Sequence, residues 1–345
     1  MSRSEVEVER LDEIPPAWDA FVSTAARSSY VHLSGWKAVM ESALGHRCVF
    51  LVATGPDGTW RGVLPLVHVR SRLFGHYLIS LPFLNAGGPL GDDAAVTALV
   101  DSAVEEARVA GVELLELRSR HSVPAPVLQQ SGRKITVELG LPSAAEDLWR
   151  QFPAKLRSQI RKPMKAGFEV RFGLQEADAF YPVFARHMRD LGTPVLPRTF
   201  FDAIAHTFSA CVVFGSVHRD GEPLAVGCGF VWREAFELTW ASALRQYQAD
   251  APNMLLYWGF MQQAIGHGLT RFDFGRCTAG GGTHRFKRQW GGHDIPLPWL
   301  QWSRAGVVSP PSLDRPLYRV AAAAWSRLPV AVANRLGPQL ARVLP

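Results

Sequence analysis

The sequence predicts an α+β fold built from two similar mixed α/β units in tandem, followed by a helical tail. Three observations carry this expectation. The order hairpin, strand, helix, buried strand occurs twice: CVFLVAT, the turn Gly55-Pro56-Asp57-Gly58 and TWRGVLPLVHV make one hairpin, and CVVFGSVH, the turn Arg219-Asp220-Gly221-Glu222 and PLAVGCGFVW make the other. Gly111-Val112-Glu113-Leu114-Leu115-Glu116-Leu117 lines up with Gly268-Leu269-Thr270-Arg271-Phe272-Asp273-Phe274. These glycines lie 53 and 47 residues after hairpin glycines Gly58 and Gly221. A chain of 345 residues is also long for a single core. The expected division is 1–142, 143–305 and a tail over 306–345.

In the first unit VEVERL reads as a strand. Pro15-Pro16 leads into a helix around Trp18 to Phe21, and a second helix begins near Ser34. HYLISLPF is a strand ended by Asn85-Ala86-Gly87-Gly88-Pro89. Asp92 or Asp93 caps a helix reaching Ala110, and GVELLELR is a buried strand. The second unit opens with LPSAAEDLWRQF, a helix with Ser143 as N-cap and Glu146 at the capping-box position. It runs into Lys155 to Lys165, which holds five basic residues and no acid. Leu156 and Ile160 face inward, while Arg157, Arg161 and Lys165 share another stripe. Pro163 is expected to break or kink this helix. A solvated face and a phosphate-binding rim both fit the cluster.

The stretch from Asn253 to Leu297 reads as a helix, a buried strand, a glycine-rich loop and a basic-aromatic segment. Leu256, Phe260 and Ala264 form one row and Tyr257, Met261 and Ile265 the next, giving one apolar helix face. Pro252 suits its start, and Gly266 and Gly268 suit its end. In RFDFG the side chains alternate, so Asp273 lies opposite Phe272 and Phe274. Ala279 to Thr283 is too rich in glycine for regular structure, and Arg285-Phe286-Lys287 follows it. A cation beside an aromatic after such a loop can clamp an oxyanion or a phosphate; a plain loop between strands is the other reading.

Net charge is +6 with a pI near 9.3, which fits an anionic partner such as a nucleotide, a tRNA or an acidic membrane face. Cys48, Cys211, Cys228 and Cys277 form no CxxC pair and no zinc spacing, so they read as free thiols of a reducing compartment. The charged N-terminus has no signal-peptide core, and no apolar run approaches the ~20 residues of a spanning helix. The expected location is the cytoplasm, extending to the inner face of the membrane. From Arg315 onward there are five arginines (315, 319, 327, 335, 342) and no acid. This tail either lies on an anionic membrane or packs on the body as short helices divided by Pro316, Pro329 and Pro338.

GxSxG, HExxH, GxxxxGK[ST] and a strand-borne GxGxxG are all absent from the sequence. His284 and His293 match no metal spacing, and Cys277 has no evident histidine partner. What remains is direct transfer, in which a bound nucleophile attacks an activated acyl group. That chemistry needs a positioned nucleophile, a route for its proton and stabilisation of the tetrahedral oxygen. Lys287 is the candidate for the oxygen. Asp273 orients or deprotonates the nucleophile, or else is a structural carboxylate at a strand end.

FDFGR, the glycine-rich loop and FKRQWGG…PL resemble the Fem-type transferases of the GNAT acyltransferase superfamily, and LRSQIRKPMKAGFEV is similar to the segment opening their second domain. FARHMRDLGTPVLPRTFF, NMLLYWGFMQQA and WSRLPVAVANRLGPQLARVL are most similar to the FemAB-like subfamily associated with PEP-CTERM/exosortase systems. LPFLNAGGPL is the best match in the first half. The resemblance covers nearly the whole chain. It implies tandem GNAT-like domains, each a mostly antiparallel mixed sheet flanked by helices, with the active groove at the second domain and its interface with the first. It implies Phe286-Lys287 near the acyl centre, with Arg157, Arg161 and Tyr257 holding a precursor's phosphates. Asn253 and Arg276 join them as candidate substrate-binding residues.

The implied activity is acyl or aminoacyl transfer to an amine, or a sugar hydroxyl, of a cell-envelope or exopolysaccharide precursor, nucleotide- or lipid-linked. No tightly bound cofactor or metal is implied. The donor would be aminoacyl-tRNA or acyl-CoA, although the sequence lacks a QxxGxG-like pyrophosphate loop. Pro163 and Cys277 depart from the family pattern. The alternative is a non-catalytic binding or assembly protein of the exopolysaccharide or PEP-CTERM system that keeps the fold.

Overall fold

The structure is a computed structural model and describes residues 6–71, 75–123, 125–131, 134–306 and 316–344. Arg315 and the other residues opening the tail lie outside them. The chain forms two compact units: Met1–Lys134 with Pro296–Ser312 and Arg342–Pro345, and Ile135–Ile295 with Leu313–Ala341.

The first unit contains β1 (Glu7–Leu11), α1 (Ala17–Thr24), α2 (Trp36–Leu44), β2 (Arg47–Thr54), β3 (Trp60–Ser71), β4 (Gly75–Ile79), β5 (Leu90–Gly91), α3 (Asp93–Val109), β6 (Leu114–Arg118) and β7 (Gln129–Ser131). Asp92 is the N-cap of α3, accepting from the Ala95 amide at 3.0 Å. Ala95, Leu99, Ala103 and Ala107 recur every fourth residue on α3 and are buried among Leu64, Leu66, Leu78 and Leu115 of the sheet.

Next come β8 (Lys134–Gly140), α4 (Ala145–Gln151), α5 (Ala154–Lys165), β9 (Glu169–Phe172), α6 (Ala177–Asp190), α7 (Arg198–Thr207), β10 (Val212–Arg219), β11 (Glu222–Trp232), β12 (Ala235–Ala243), α8 (Pro252–Gly266), β13 (Arg271–Thr278), α9 (Gly282–Arg288) and β14 (His293–Pro296). The series ends with β15 (Trp299–Ser303), α10 (Pro316–Trp325) and α11 (Val330–Ala341).

One sheet runs β1-β2-β3-β4-β6-β15-β7, with β5 on β3, and the other runs β14-β8-β13-β12-β11-β10-β9. Chain order and unit membership therefore part company at two strands. β15 pairs antiparallel with β6 and β7, and β8 lies between β13 and β14. A division after residue 142 puts β8 with the wrong sheet, because each of these strands meets its backbone hydrogen-bonding partners in the other half of the sequence.

The tandem echo is structural. In each unit antiparallel strands lead to one parallel pair joined by a crossover helix, β4-α3-β6 and β12-α8-β13. The ladders start in matching register, Tyr77 opposite Leu114 and Ala235 opposite Arg271. Both helices end at a left-handed glycine, Gly111 at φ 66° and Gly268 at φ 73°. The next amide then bonds back across the last turn, Val112 to the Ala107 carbonyl at 2.8 Å and Leu269 to the Ala264 carbonyl at 2.9 Å.

α8 is the axis of the second unit. Its residues are buried all round rather than along one face, since it lies between the sheet and α4 and α5. Phe260 projects from it onto Gly215 and Gly227, which stand opposite each other on β10 and β11. A Cβ at Gly227 would come within 2.5 Å of the Phe260 ring. α6 packs on the other face of β10–β12 and carries α11 in turn.

Several local expectations are corrected. α4 begins after Ala144 with no side-chain cap, so Ser143 lies one residue outside its N-cap position. α5 passes through Pro163 and ends two residues later at Lys165; the proline sits in the last turn, where losing one amide donor interrupts little. Pro316 opens α10 and Pro329 precedes α11, but Pro338 lies inside α11, which is anchored on either side of it by buried Gly337 and Ala341. Gly282 and Thr283 belong to α9, so Arg285, Phe286 and Lys287 stand on a short helix and not on a loop.

Candidate active site

The parallel ladder of the second unit has three pairs: Ala235 with Arg271, Phe236 with Phe272 and Glu237 with Asp273. Beyond Glu237, β12 is irregular. Leu238 faces Gly229 and Trp240 faces Cys228, so Thr239 is an extra residue that turns the following side chains over. Both strands continue past the last parallel pair, and at this point the two units differ. In the first, the chain after β4 folds into the corresponding place. Ser80 N donates to the Glu116 carbonyl at 2.9 Å, and the amides of Gly87 and Gly88 donate to the Arg118 carbonyl at 2.9 and 2.8 Å. Arg118 is ion-paired with Glu116 at 2.8 Å and lies over the Trp299 ring at 4.4 Å, while Gln301 donates to Glu116 at 2.6 Å. That place is filled by the unit's own loop and side chains.

In the second unit the residue equivalent to Arg118 is Gly275, and its carbonyl takes a side chain instead. Lys287 Nζ donates to the Gly275 carbonyl at 2.6 Å and to the Arg276 carbonyl at 3.0 Å. Lys287 is 4 % exposed. Burial lowers its pKa to about 8, opposed by the nearby Cys277, Asp273 and Glu237 and reinforced by Arg276. Two of its three ammonium hydrogens are committed to carbonyls. Asp273, also buried, accepts from Thr136 Oγ1 of β8 and from the Gly275 amide at 2.7 Å, so it fixes the course of β13 just before those carbonyls.

The turn before α9 is held by its own helix. The Gly280 amide donates to His284 Nδ1 at 3.0 Å, and Arg285 Nη1 donates to the Gly280 carbonyl at 3.0 Å. His284 Nε2 faces Asp294 of β14 at 2.9 Å. These contacts make a helix out of a glycine-rich segment that is weak by propensity alone.

Phe286 packs edge-on against Tyr257 with ring centroids 5.0 Å apart, and Tyr257 also stacks on Phe274 and Trp290. Burial pushes the Tyr257 phenol up. The structure thus brings Lys287, Phe286, Tyr257, Asp273 and Arg276 into one neighbourhood, with Tyr257 inside its aromatic wall. Asn253 is half-buried one turn before Tyr257 on α8.

Arg157 is half-buried on α5, and Arg161 is reached through rings. Arg161 lies over Trp149 at 5.1 Å, Trp149 meets Trp258, Trp258 meets Phe152, and Phe152 meets Trp290. Leu156 and Ile160 are buried, and Lys162 donates to the Ala249 carbonyl at 2.6 Å. Glu237 escaped the sequence reading. Its signal is a lone acid in Phe236-Glu237-Leu238, the same pattern as Phe272-Asp273-Phe274 across the ladder.

Residues 150–288 match the acetyltransferase (GNAT) domain family. The second unit carries a GNAT acetyltransferase domain, and the chain is an acyltransferase. No curated protein matches the sequence. Among solved structures, FemX is similar over 91 % of this chain and 100 % of its own, at 15 % identity and a TM-score of 0.66. L-PGS from Bacillus licheniformis matches over 91 % of this chain and 96 % of its own, at 12 % identity and a TM-score of 0.55. A tandem GNAT protein from the clavulanic acid biosynthesis pathway matches over 88 % and 100 %, at 12 % identity and a TM-score of 0.52. At these identities the likeness is one of fold: the tandem, Fem-type arrangement of two GNAT units. Among the described residues, no His/Cys/Asp/Glu group could hold a metal ion, and no helix is long and apolar enough to cross a membrane.

Proposed function

We propose that the chain transfers an acyl or aminoacyl group to an amine, or a sugar hydroxyl, of an anionic cell-envelope or exopolysaccharide precursor, working at the inner face of the membrane. The single observation that carries this reading is Lys287: a buried ammonium anchored by two strand carbonyls, with one N–H left to offer. In the reaction the nucleophile's lone pair attacks the acyl carbon and the carbonyl oxygen takes up negative charge. The bond to the thiolate of acyl-CoA or the ribose oxygen of aminoacyl-tRNA then breaks, and the proton lost by the nucleophile ends on that leaving group. Lys287 donates to the developing oxyanion, where a preorganised cation in a dry site is worth most.

Glu237 and Asp273 favour its charged form. Phe286 and Tyr257 wall the acyl group, and Asn253 and Arg276 line the approach to it. Arg157 and Arg161 form a rim for the precursor's phosphates, supported by the basic, acid-free face of α5. The domain match supports acyl transfer, with either aminoacyl-tRNA or acyl-CoA as the donor.

The test is a thermal-shift panel with acetyl-CoA, a charged-tRNA mimic and UDP-sugar or UDP-muramoyl-peptide ligands, followed by turnover with any ligand that binds. A ligand at a hundredfold excess over its Kd stabilises by about 2.7 kcal/mol. Lys287→Met is expected to bind the same ligands and to lose turnover. Full turnover by this variant refutes the role given to Lys287.

A further inference from the structure

The tail has two faces. On α11, Ala333, Gly337 and Ala341 are buried at four-residue spacing, and α11 packs against α6. Gly337 lies against Val195, and Gly192, just past α6, lies against the Ala322 backbone of α10, so close that a Cβ there would meet the carbonyl oxygen at 2.4 Å. These small residues let the tail seat closely on the second unit.

The opposite faces are apolar and cationic. Val332, Arg335, Leu336 and Gln339 are exposed along one side of α11, at the spacing of a single helix face. Val320, Ala323 and Ala324 do the same on α10, and Arg327 is exposed in the turn just past its end. Eight large hydrophobic residues are exposed among the described residues, and four of them are Leu191, Val320, Val332 and Leu336. Leu191 adjoins Gly192, beneath α10. Half of these exposed side chains thus fall on about a tenth of the chain. Scattered single residues would need no explanation, but a cluster does. The charge there has one sign: Arg319, Arg327 and Arg335 are exposed and no acid occurs from residue 315 onward. Asp190, the nearest acid to Leu191 in sequence, is paired with Arg189 at 3.1 Å.

We propose that the outward faces of α10 and α11, with Leu191, form a docking surface for an anionic lipid bilayer. Aliphatic side chains would enter the headgroup boundary and the arginines would pair with lipid phosphates. A protein partner would need acidic groups to meet the arginines, whereas an anionic leaflet offers negative charge and an apolar interior together. This deepens the membrane location given in the proposed function, yet it depends only on the tail.

The test is co-sedimentation of the full chain with phosphatidylcholine vesicles and with vesicles containing equal parts phosphatidylglycerol. Binding to the anionic vesicles is expected to exceed that to the neutral ones roughly tenfold or more, and to weaken as salt is raised. Val332→Ser with Leu336→Ser should lower it several-fold while keeping its salt dependence. Arg327→Gln with Arg335→Gln should lower it and flatten that dependence. Both pairs are exposed, so melting temperatures should match the native protein. Lys287→Met should bind vesicles as the native protein does, so a failure of the transfer reading and a failure of docking are told apart. Docking is overturned by absence of native binding to anionic vesicles, or by binding that neither pair changes. It is equally overturned if the serine pair dissolves a dimer in sedimentation velocity, which makes the face a contact between copies.

Discussion

Lys287 reaches from α9 to the end of β13 and donates to the Gly275 carbonyl at 2.6 Å, the position whose counterpart in the first unit, Arg118, accepts from the backbone amides of Gly87 and Gly88. One repeat has closed this place with loop backbone. The other has placed a titratable cation there, which gives the proposed transfer a pH signature. An oxyanion donor must be protonated, and Lys287 titrates at about 8. The rate at saturating substrate is therefore expected to be level below that value and to fall as pH rises through it. Lys287→Arg, whose charge persists, should retain part of the rate and show no fall through pH 8. A rate that climbs through pH 8 would instead mean that neutral Lys287 acts as a base.

The same shift predicts a stability profile. The folded-state pKa of about 8 lies below the ordinary 10.5, so between these values the unfolded chain holds a proton that the native chain has released. Stability contributed through this residue therefore rises with pH across that window. Fully charged at neutral pH, the buried ammonium costs about 3 kcal/mol. Lys287→Met removes that cost but leaves the Gly275 and Arg276 carbonyls without their donor, a loss of about 1–3 kcal/mol. The two nearly offset, so the variant should melt within a few degrees of the native protein at pH 7 (about 2–4 °C per kcal/mol at this size). The native protein should gain on the variant from pH 8 to 10.5. Parallel profiles would show that the lysine is not buried as described.

The fold was legible wherever the signal was local. The alignment of Gly111 with Gly268 rests on two left-handed helix ends, a constraint that glycine satisfies best, and it carried the ladder register with it. Lys287 and Phe286 were visible because a cation and an aromatic follow a glycine run. The exchange of β8 and β15 was not legible, because sheet membership depends on which edges are open in three dimensions. Glu237 looked like one acid in an apolar strand until the ladder set it opposite Asp273. Motif similarity gave Tyr257 a part in holding a precursor's phosphates, whereas its ring is packed by Phe274, Phe286 and Trp290, which arrive from two other elements and the turn after α9.

Phe260 and Gly227 test the packing at the centre of the second unit. Gly227→Ala puts a methyl within 2.5 Å of the Phe260 ring, between strands that cannot move apart without breaking ladder bonds. It is expected to destabilise by about 1–3 kcal/mol. Phe260→Leu alone leaves a void, but combined with Gly227→Ala it should lose less than the sum of the two. A double-mutant cycle by chemical denaturation measures the coupling, expected at about 0.5–3 kcal/mol. Strict additivity would mean that the ring and the glycine do not meet.

His284 and Asp294 test how α9 is held. In neutral His284, Asp294 takes the Nε2 hydrogen at 2.9 Å, which leaves Nδ1 free to accept from the Gly280 amide at 3.0 Å. One side chain therefore ties the glycine turn to β14, and with it the start of α9. His284→Ala removes both contacts from a half-buried position, so the global cost should be about 1 kcal/mol. Its local effect should be larger. Exchange of the Gly280 amide is expected to quicken roughly tenfold or more as the turn opens on its own. The rate should fall while ligand affinities hold, because Lys287 would be aimed less well at an unchanged binding surface. Asp294→Asn, whose amide can still accept from Nε2–H, should give a milder version of both effects. If Gly280 exchange stays at the native rate in His284→Ala, the turn is held by Arg285 and its own backbone, and the histidine has no part in positioning Lys287.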